Sequence, residues 1–176
     1  MATYPLQCTV RRTESTLDLL NTLDALNDDP DFEPSLFATW SPGPPDQEVY
    51  DLRDLAALLD EPRALRKPRT GHTPSQRLTW HCSIRNTTQS GLSDDHWWHL
   101  LQQVLNATGI QPQNDPNSCR WLAVRSTADR LDIVATVIRQ DGSWARLHND
   151  ERFAQYACER FAADHKLNSP KRLGEE

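Results

Sequence analysis

Cys-Arg-Trp-Leu-Ala-Val-Arg-Ser-Thr-Ala-Asp-Arg-Leu-Asp-Ile-Val-Ala-Thr, residues 119–136, reads as two strands around a tight turn. Trp121, Ala123 and Arg125 fall on one side of the first strand, and Leu122 and Val124 on the other, the period-two spacing of β structure. The second strand is expected over Arg130–Arg139, followed by the turn pair Asp141-Gly142. A hairpin set among irregularly alternating helices and strands predicts an α+β fold, a mainly antiparallel sheet with helices packed on it, rather than a doubly wound parallel sheet.

Working outward, Leu78–Arg85 reads as a strand. A helix follows, with Ser93 as its N-cap, Asp94 and Asp95 at its positive end and Gly109 as its stop. Trp97, Leu100, Leu101, Val104 and Leu105 form its apolar face. Upstream, a strand over Thr3–Arg12 precedes a helix starting at Ser15 or Thr16, with Leu17, Leu20, Leu23 and Leu26 as its stripe. The turn cluster Asn27-Asp28-Asp29-Pro30 ends that helix. Leu36–Trp40 is a short strand, and Tyr50–Leu59 repeats Leu at helical spacing. Residues 61–77 are rich in Pro, Arg and Thr and read as an exposed basic loop carrying Arg63, Arg66, Lys67, Arg69 and Arg77. Asn149 or Asp150 caps a last helix running to about Lys166, and residues 168–176 read as a flexible polar tail.

At 176 residues, with 37% apolar and 25% charged residues, residues 1–167 suit a single domain with one core. The net charge of −6 and a pI near 5.5 argue against gripping DNA by bulk charge, though a local basic patch remains open. No apolar run approaches the roughly 20 residues of a membrane span. The N-terminus lacks a signal-peptide core, so a cytoplasmic location is expected. Cys8, Cys82, Cys119 and Cys158 are far apart, without a Cys-x-x-Cys pair, and are expected as buried reduced thiols rather than a zinc site.

Several blocks occur in an order that resembles the bacterial mobilisation relaxases of the HUH endonuclease superfamily. Trp80-His81-Cys82-Ser83-Ile84-Arg85 is similar to the family's His-x-Ser-x-Arg strand, and Leu92-Ser93-Asp94-Asp95-His96-Trp97 to its Leu-Ser-Asp-x-x-Trp helix start. Ala107-Thr108-Gly109-Ile110, the hairpin strands and His148-Asn149-Asp150 match as well. Together they cover about two thirds of the chain. The resemblance implies a relaxase-like two-layer sandwich. In that family the hairpin carries a His-x-His pair and a third His that hold a divalent ion on the scissile phosphate.

Here those three positions are Ser126, Arg130 and Asp132. An always-protonated guanidinium cannot ligate a cation, and a lone carboxylate with a hydroxyl binds one weakly. The resemblance aligns the family's nucleophilic Tyr with Thr22 in Leu19-Leu20-Asn21-Thr22-Leu23, with Tyr4 and Tyr50 as the alternatives, and a Thr without a paired base is a poor nucleophile. Neither a metal nor another cofactor is expected.

Arg130 and Asp132 share a strand face. They form either a pocket for a phosphate or carboxylate, with Ser126, Arg125, Asn149 and Thr22 as further ligand-binding candidates, or a solvent-exposed ion pair. His81 is either an acid–base group in the same cleft or a packed, hydrogen-bonded side chain. His96 and His99 lack a third ligand and read as a solvated helix face. The basic residues Arg63, Arg66, Lys67 and Arg69 are either a flap over nucleic acid or a charged insertion. Trp40, Trp97 and Trp121 are expected in the core, Trp98 and Trp144 at the surface.

The leading expectation is a degenerate relaxase-like domain that neither nicks DNA nor holds a metal. It would serve as a binding module for single-stranded DNA or for mobilisation proteins. The alternatives are a metal-independent small-molecule enzyme using Asp132, His81 and Arg130 on a small anionic ligand, and a protein-interaction domain. Neither a membrane partner nor an oligomeric state is indicated.

Overall fold

The hairpin forms at the centre of the sheet, as β4 (Cys119–Thr127) and β5 (Arg130–Arg139). The computed structural model describes residues 4–26, 30–41, 51–68 and 76–167. Arg69, Tyr50, most of the Asn27–Pro30 turn and the 168–176 tail lie outside the described residues. The remaining elements are β1 (Leu6–Thr13), α1 (Thr16–Asp24), β2 (Ser35–Thr39), α2 (Leu52–Asp60), β3 (Thr79–Asn86), α3 (Asp94–Thr108) and α4 (Asp150–Asp164). Among the described residues the class is α+β: five strands in the order β1-β3-β5-β4-β2, every pair antiparallel, with four α-helices.

β5 lies between β3 and β4 and is buried without interruption from Leu131 to Ile138. A strand buried at consecutive positions is covered on both faces. One face carries Trp80, Cys82, Ile84, Ile133, Ala135, Trp121 and Ala123, which lie opposite one another in register. Here α4 packs: the Trp80 indole donates to Asp150 at 2.9 Å, and Gln155 accepts from the Cys8 amide at 3.0 Å. The other face carries Thr79, His81, Asp132, Val134 and Leu122. It meets α1 through Thr16 and Thr79 at 2.7 Å, and α2 through Arg120, which donates to the Leu58 carbonyl at 2.7 Å.

The helix ends follow their capping chemistry. Ser93 accepts from the His96 amide, and Gly109 closes α3 at φ 88° in the left-handed region. Ser15 caps α1 by accepting from Asp18, and its buried stripe is Thr16, Leu20 and Leu23, one helical face. Asp51 caps α2 through the Arg53 amide. Trp80, Trp97, Trp121 and Phe161 are the largest fully buried side chains, and Trp40 is buried with them. Trp98 is exposed, as expected.

The segment expected as a basic loop from residue 61 begins instead as a 3₁₀ helix, Glu61–Leu65, with Pro62 at its start and buried. Pro in the first turn of a helix costs no hydrogen bond there, which explains why a Pro-containing run continues a helix. Its far end is held against the β5 turn: the Lys67 amide donates to Gly142 O at 2.9 Å, and the Trp144 indole to Lys67 O at 2.9 Å.

Gly142 is the tight point of this contact. It adopts φ 85°, and a Cβ there would collide with the Leu65 carbonyl. Gly142→Ala combines left-handed backbone strain with overpacking and should cost about 2–4 kcal/mol of unfolding free energy. Urea denaturation would measure it, and Gly91→Ala, where a Cβ meets nothing within 4 Å, should be close to neutral.

Candidate functional site

Asp132 is a carboxylate at a fully buried position in the middle of the sheet, so its environment must supply what water cannot. It does so with three side chains. Oδ1 accepts from His81 Nε2 at 2.7 Å and Arg130 Nη2 at 3.1 Å. Oδ2 accepts from Arg130 Nε at 2.9 Å and from the Ser126 hydroxyl. The four acceptor sites of the carboxylate are therefore taken.

Each partner arrives for a local reason. Arg130 is two residues from Asp132 on β5 and so emerges on the same face. Its Nε–Nη2 edge matches the two carboxylate oxygens. Ser126 sits in the β-bulge between Arg125 and Thr127 at the end of β4, unpaired in the ladder and close to Asp132. His81 comes from β3, where it opposes Val134, one same-face step along β5. Its Nε2 must carry the proton to donate to an ionised carboxylate.

Burial pushes the Asp132 carboxyl up, but the hydrogen bonds from His81, Arg130 and Ser126 together outweigh it and hold the group below the ordinary carboxylate value. Asp132 thus stays ionised and its lone pairs are occupied. A metal ion does not fit this donor set: the carboxylate has no free oxygen site, and the Arg130 guanidinium bound to it cannot ligate a cation. Among the described residues no group of three or more His, Cys, Asp or Glu side chains is arranged to hold a metal.

The structure thus joins Ser126, Arg130, Asp132 and His81 and separates them from the other candidates. Asp132 is fully buried and Arg130 only 28% exposed, so the pair is not the solvent-exposed ion pair allowed by the sequence. Arg125 projects from the opposite side of β4. It lies 5.0 Å from the Trp97 ring centroid, donates to the Ala128 carbonyl at 2.8 Å and approaches Asp94 at 3.3 Å. It braces the hairpin turn on α3. Thr22 is exposed on α1 and donates to Asp18 O at 2.8 Å, a bond within its own helix rather than with the cluster. Asn149 is the N-cap of α4 at φ 55°, on the helix covering the other face.

Arg63 is not an exposed loop cation. It is tied to Asp60 at 3.0 Å and donates to Thr79 at 2.6 Å and Thr16 at 3.2 Å, locking the 3₁₀ helix to α1 and β3. Burial there raises the Asp60 carboxyl, against the hydrogen bond from Thr16 and the charge of Arg63. Arg66 and Lys67 are exposed. His96 also departs from expectation. Its ring packs edge-on to Phe161 and His165 rather than standing in solvent.

A second feature was not legible as a site. A groove of about 440 Å³ is lined by Arg12, Arg77 and Arg146, with His148, Trp144 and apolar neighbours. Among the described residues no acidic side chain lines it, although the chain is acidic overall. Arg12 also lies 3.7 Å from Asp150, with 43% of its side chain exposed.

No family model, curated protein or solved structure matches this chain. The geometry therefore has to carry any functional reading.

Replacing Asp132 by Asn should destabilise the fold by about 3–5 kcal/mol, because Arg130 loses its buried counter-charge. The pH dependence has a fixed sign. The lowered carboxyl contributes stability that is complete above its unfolded value near pH 3.9 and is lost as pH falls through the folded value. Denaturant midpoints measured from pH 7 down to about pH 2 should fall in the native protein and fall less steeply in the D132N variant.

Proposed function

We propose that this chain is a relaxase-like scaffold, a sandwich of the HUH type, that has lost the nicking reaction and acts as a metal-independent binding module. The observation that carries the proposal is the occupancy of Asp132. Where the family places a third metal-binding imidazole, this chain has a carboxylate whose acceptor sites are filled by Arg130, Ser126 and His81. Arg130 replaces the cation's charge internally. The result is a structural electrostatic centre rather than one open to a phosphate.

The ordered blocks of family-like sequence and the antiparallel sheet with its central hairpin support the relaxase-like part of this reading. The exposed position of Thr22, away from the cluster, agrees with the loss of a nucleophile. The small-molecule enzyme reading loses Asp132 as its base. A carboxyl held below its ordinary value by three donors does not take up a proton near neutral pH.

The ligand class is single-stranded nucleic acid, and the surface that supports it is the Arg12–Arg77–Arg146 groove. Guanidinium forks match phosphate oxygens, and an indole offers a stacking face for a base. A local basic groove also reconciles phosphate binding with the net charge of −6.

Fluorescence anisotropy with a labelled single-stranded oligonucleotide tests this. Three phosphate contacts predict a slope of about −2 for log K against log salt, and Arg146→Ala should reduce its magnitude by about 0.7. Absence of binding at 50 mM salt, on the order of the lowest ionic strength in common use, overturns the ligand assignment. Separately, supercoiled plasmid incubated with manganese should remain supercoiled. Relaxed product that disappears on chelation would overturn the loss of nicking.

A further inference from the structure

Three of the four cysteines, distant in sequence, meet on the sheet face opposite Asp132. Cys8 comes from β1, Cys82 from β3 and Cys158 from α4. The Cys8 and Cys82 sulfurs are 3.2 Å apart. The two strands bring them together diagonally: Cys8 opposes Ile84 and Val10 opposes Cys82 in the ladder. Cys82 and Cys158 are fully buried; Cys8, at 8% exposure, is also buried but lines a groove of about 790 Å³ with Gln155, Tyr156 and Glu159. Gln155 holds the edge of β1 at Cys8, accepting from its amide at 3.0 Å and donating to Leu6 O at 3.2 Å.

We propose that Cys8 is a peroxide-sensitive thiol and Cys82 its resolving partner, so that a small neutral hydroperoxide entering this groove converts the pair to a disulfide. Cys8 alone of the trio has both an access route and an adjacent sulfur in contact. The chemistry takes two balanced steps. The Cys8 thiolate attacks one oxygen of hydrogen peroxide, an S–O bond forms as the O–O bond breaks, and hydroxide leaves with a sulfenic acid on Cys8. The Cys82 sulfur then attacks Cys8 Sγ, the S–O bond breaks, the Cys82 proton goes to the departing oxygen and water leaves. Two thiols are oxidised and one peroxide is reduced.

The thiolate is placed on Cys8 by its neighbours. Hydrogen bonds from Cys158, and then from Cys82, pull the Cys8 thiol below the ordinary value against the effect of burial, with a further contribution from His81. The same contacts push Cys82 and Cys158 well above it. Cys119 is an internal control: burial, the largest influence on it, takes it up to about 12.

The groove also selects the oxidant. Asp150, Glu151 and Glu159 line it with a single Arg152. An acidic entrance disfavours anionic disulfides such as oxidised glutathione and admits an uncharged peroxide. In a reducing compartment such a disulfide would be transient, as a sensing bond requires.

The test treats the intact protein with hydrogen peroxide and maps peptides by mass spectrometry without reduction. The expected product loses two hydrogens, links the peptides containing Cys8 and Cys82, and reverts with dithiothreitol. Cys82→Ser should instead leave a sulfenic acid on Cys8 that dimedone traps, and Cys8→Ser should abolish both products. At equal concentration, oxidised glutathione should react at least about tenfold more slowly, the direction set by charge repulsion at the groove. A native protein in which Cys8 is unmodified, or in which Cys8 joins Cys158 rather than Cys82, overturns the proposal. Far-ultraviolet circular dichroism of each variant confirms that it is folded before the chemistry is read.

Discussion

A single carboxylate near the start of the central strand β5 governs this architecture. Asp132 has no contact with water, so its charge must be balanced entirely by the chain. Arg130 supplies the counter-charge from the same strand, Ser126 a donor from β4, and His81 a donor from β3. These bonds tie together the three central strands. Slipping β5 by one residue against either neighbour would move Asp132 to the face occupied by Trp80, Cys82 and Trp121, where no such donors stand. Burial of the charge is therefore also a statement about register: only one alignment of the three strands satisfies it.

The two faces of the sheet divide the polar chemistry. On one, the Asp132 cluster and the Thr16–Asp60–Arg63–Thr79 cluster lock α1, the 3₁₀ helix and the sheet through charged and hydroxyl groups. On the other, aromatic residues and thiols lie beneath α3 and α4, with Arg125 laid across Trp97 at the edge. Here the buried Asp132 and the half-buried Arg63 each have an opposite charge within a few ångströms. Bare thiols suffice where packing is otherwise apolar, because a thiol is a weak hydrogen-bonding group and costs little to bury.

Much of the local structure was readable from residue order. The hairpin over 119–139, the Ser93 cap, the Gly109 stop and the apolar face of α3 each follow from signals confined to a few neighbours. The opposite directions of Arg125 and Asp132 are consistent with strand alternation, yet the resemblance grouped Arg125 with the site. Residues 61–65 read as a loop because Pro is a poor helix former, although Pro62 sits where its missing N–H is harmless. Thr22 was placed by alignment with a family motif, which carries no information about the direction of a side chain in this chain.

Residue order alone determined that this protein has an antiparallel hairpin, amphipathic helices with defined ends, and a hydroxyl, a guanidinium and a carboxyl group clustered around one hairpin turn. It also placed Arg130 beside Asp132, since two residues on one strand necessarily share a face. The tertiary structure decided that His81, 51 positions earlier, completes the carboxylate's shell. It also decided that Arg12 and Arg146 line one groove, and that Cys8 and Cys82 touch across 74 positions. The division has a physical cause. Turns, caps and alternation are set by sterics and hydrogen bonds within a few residues, whereas these convergences depend on strand order and helix placement, which only burial of the whole core selects.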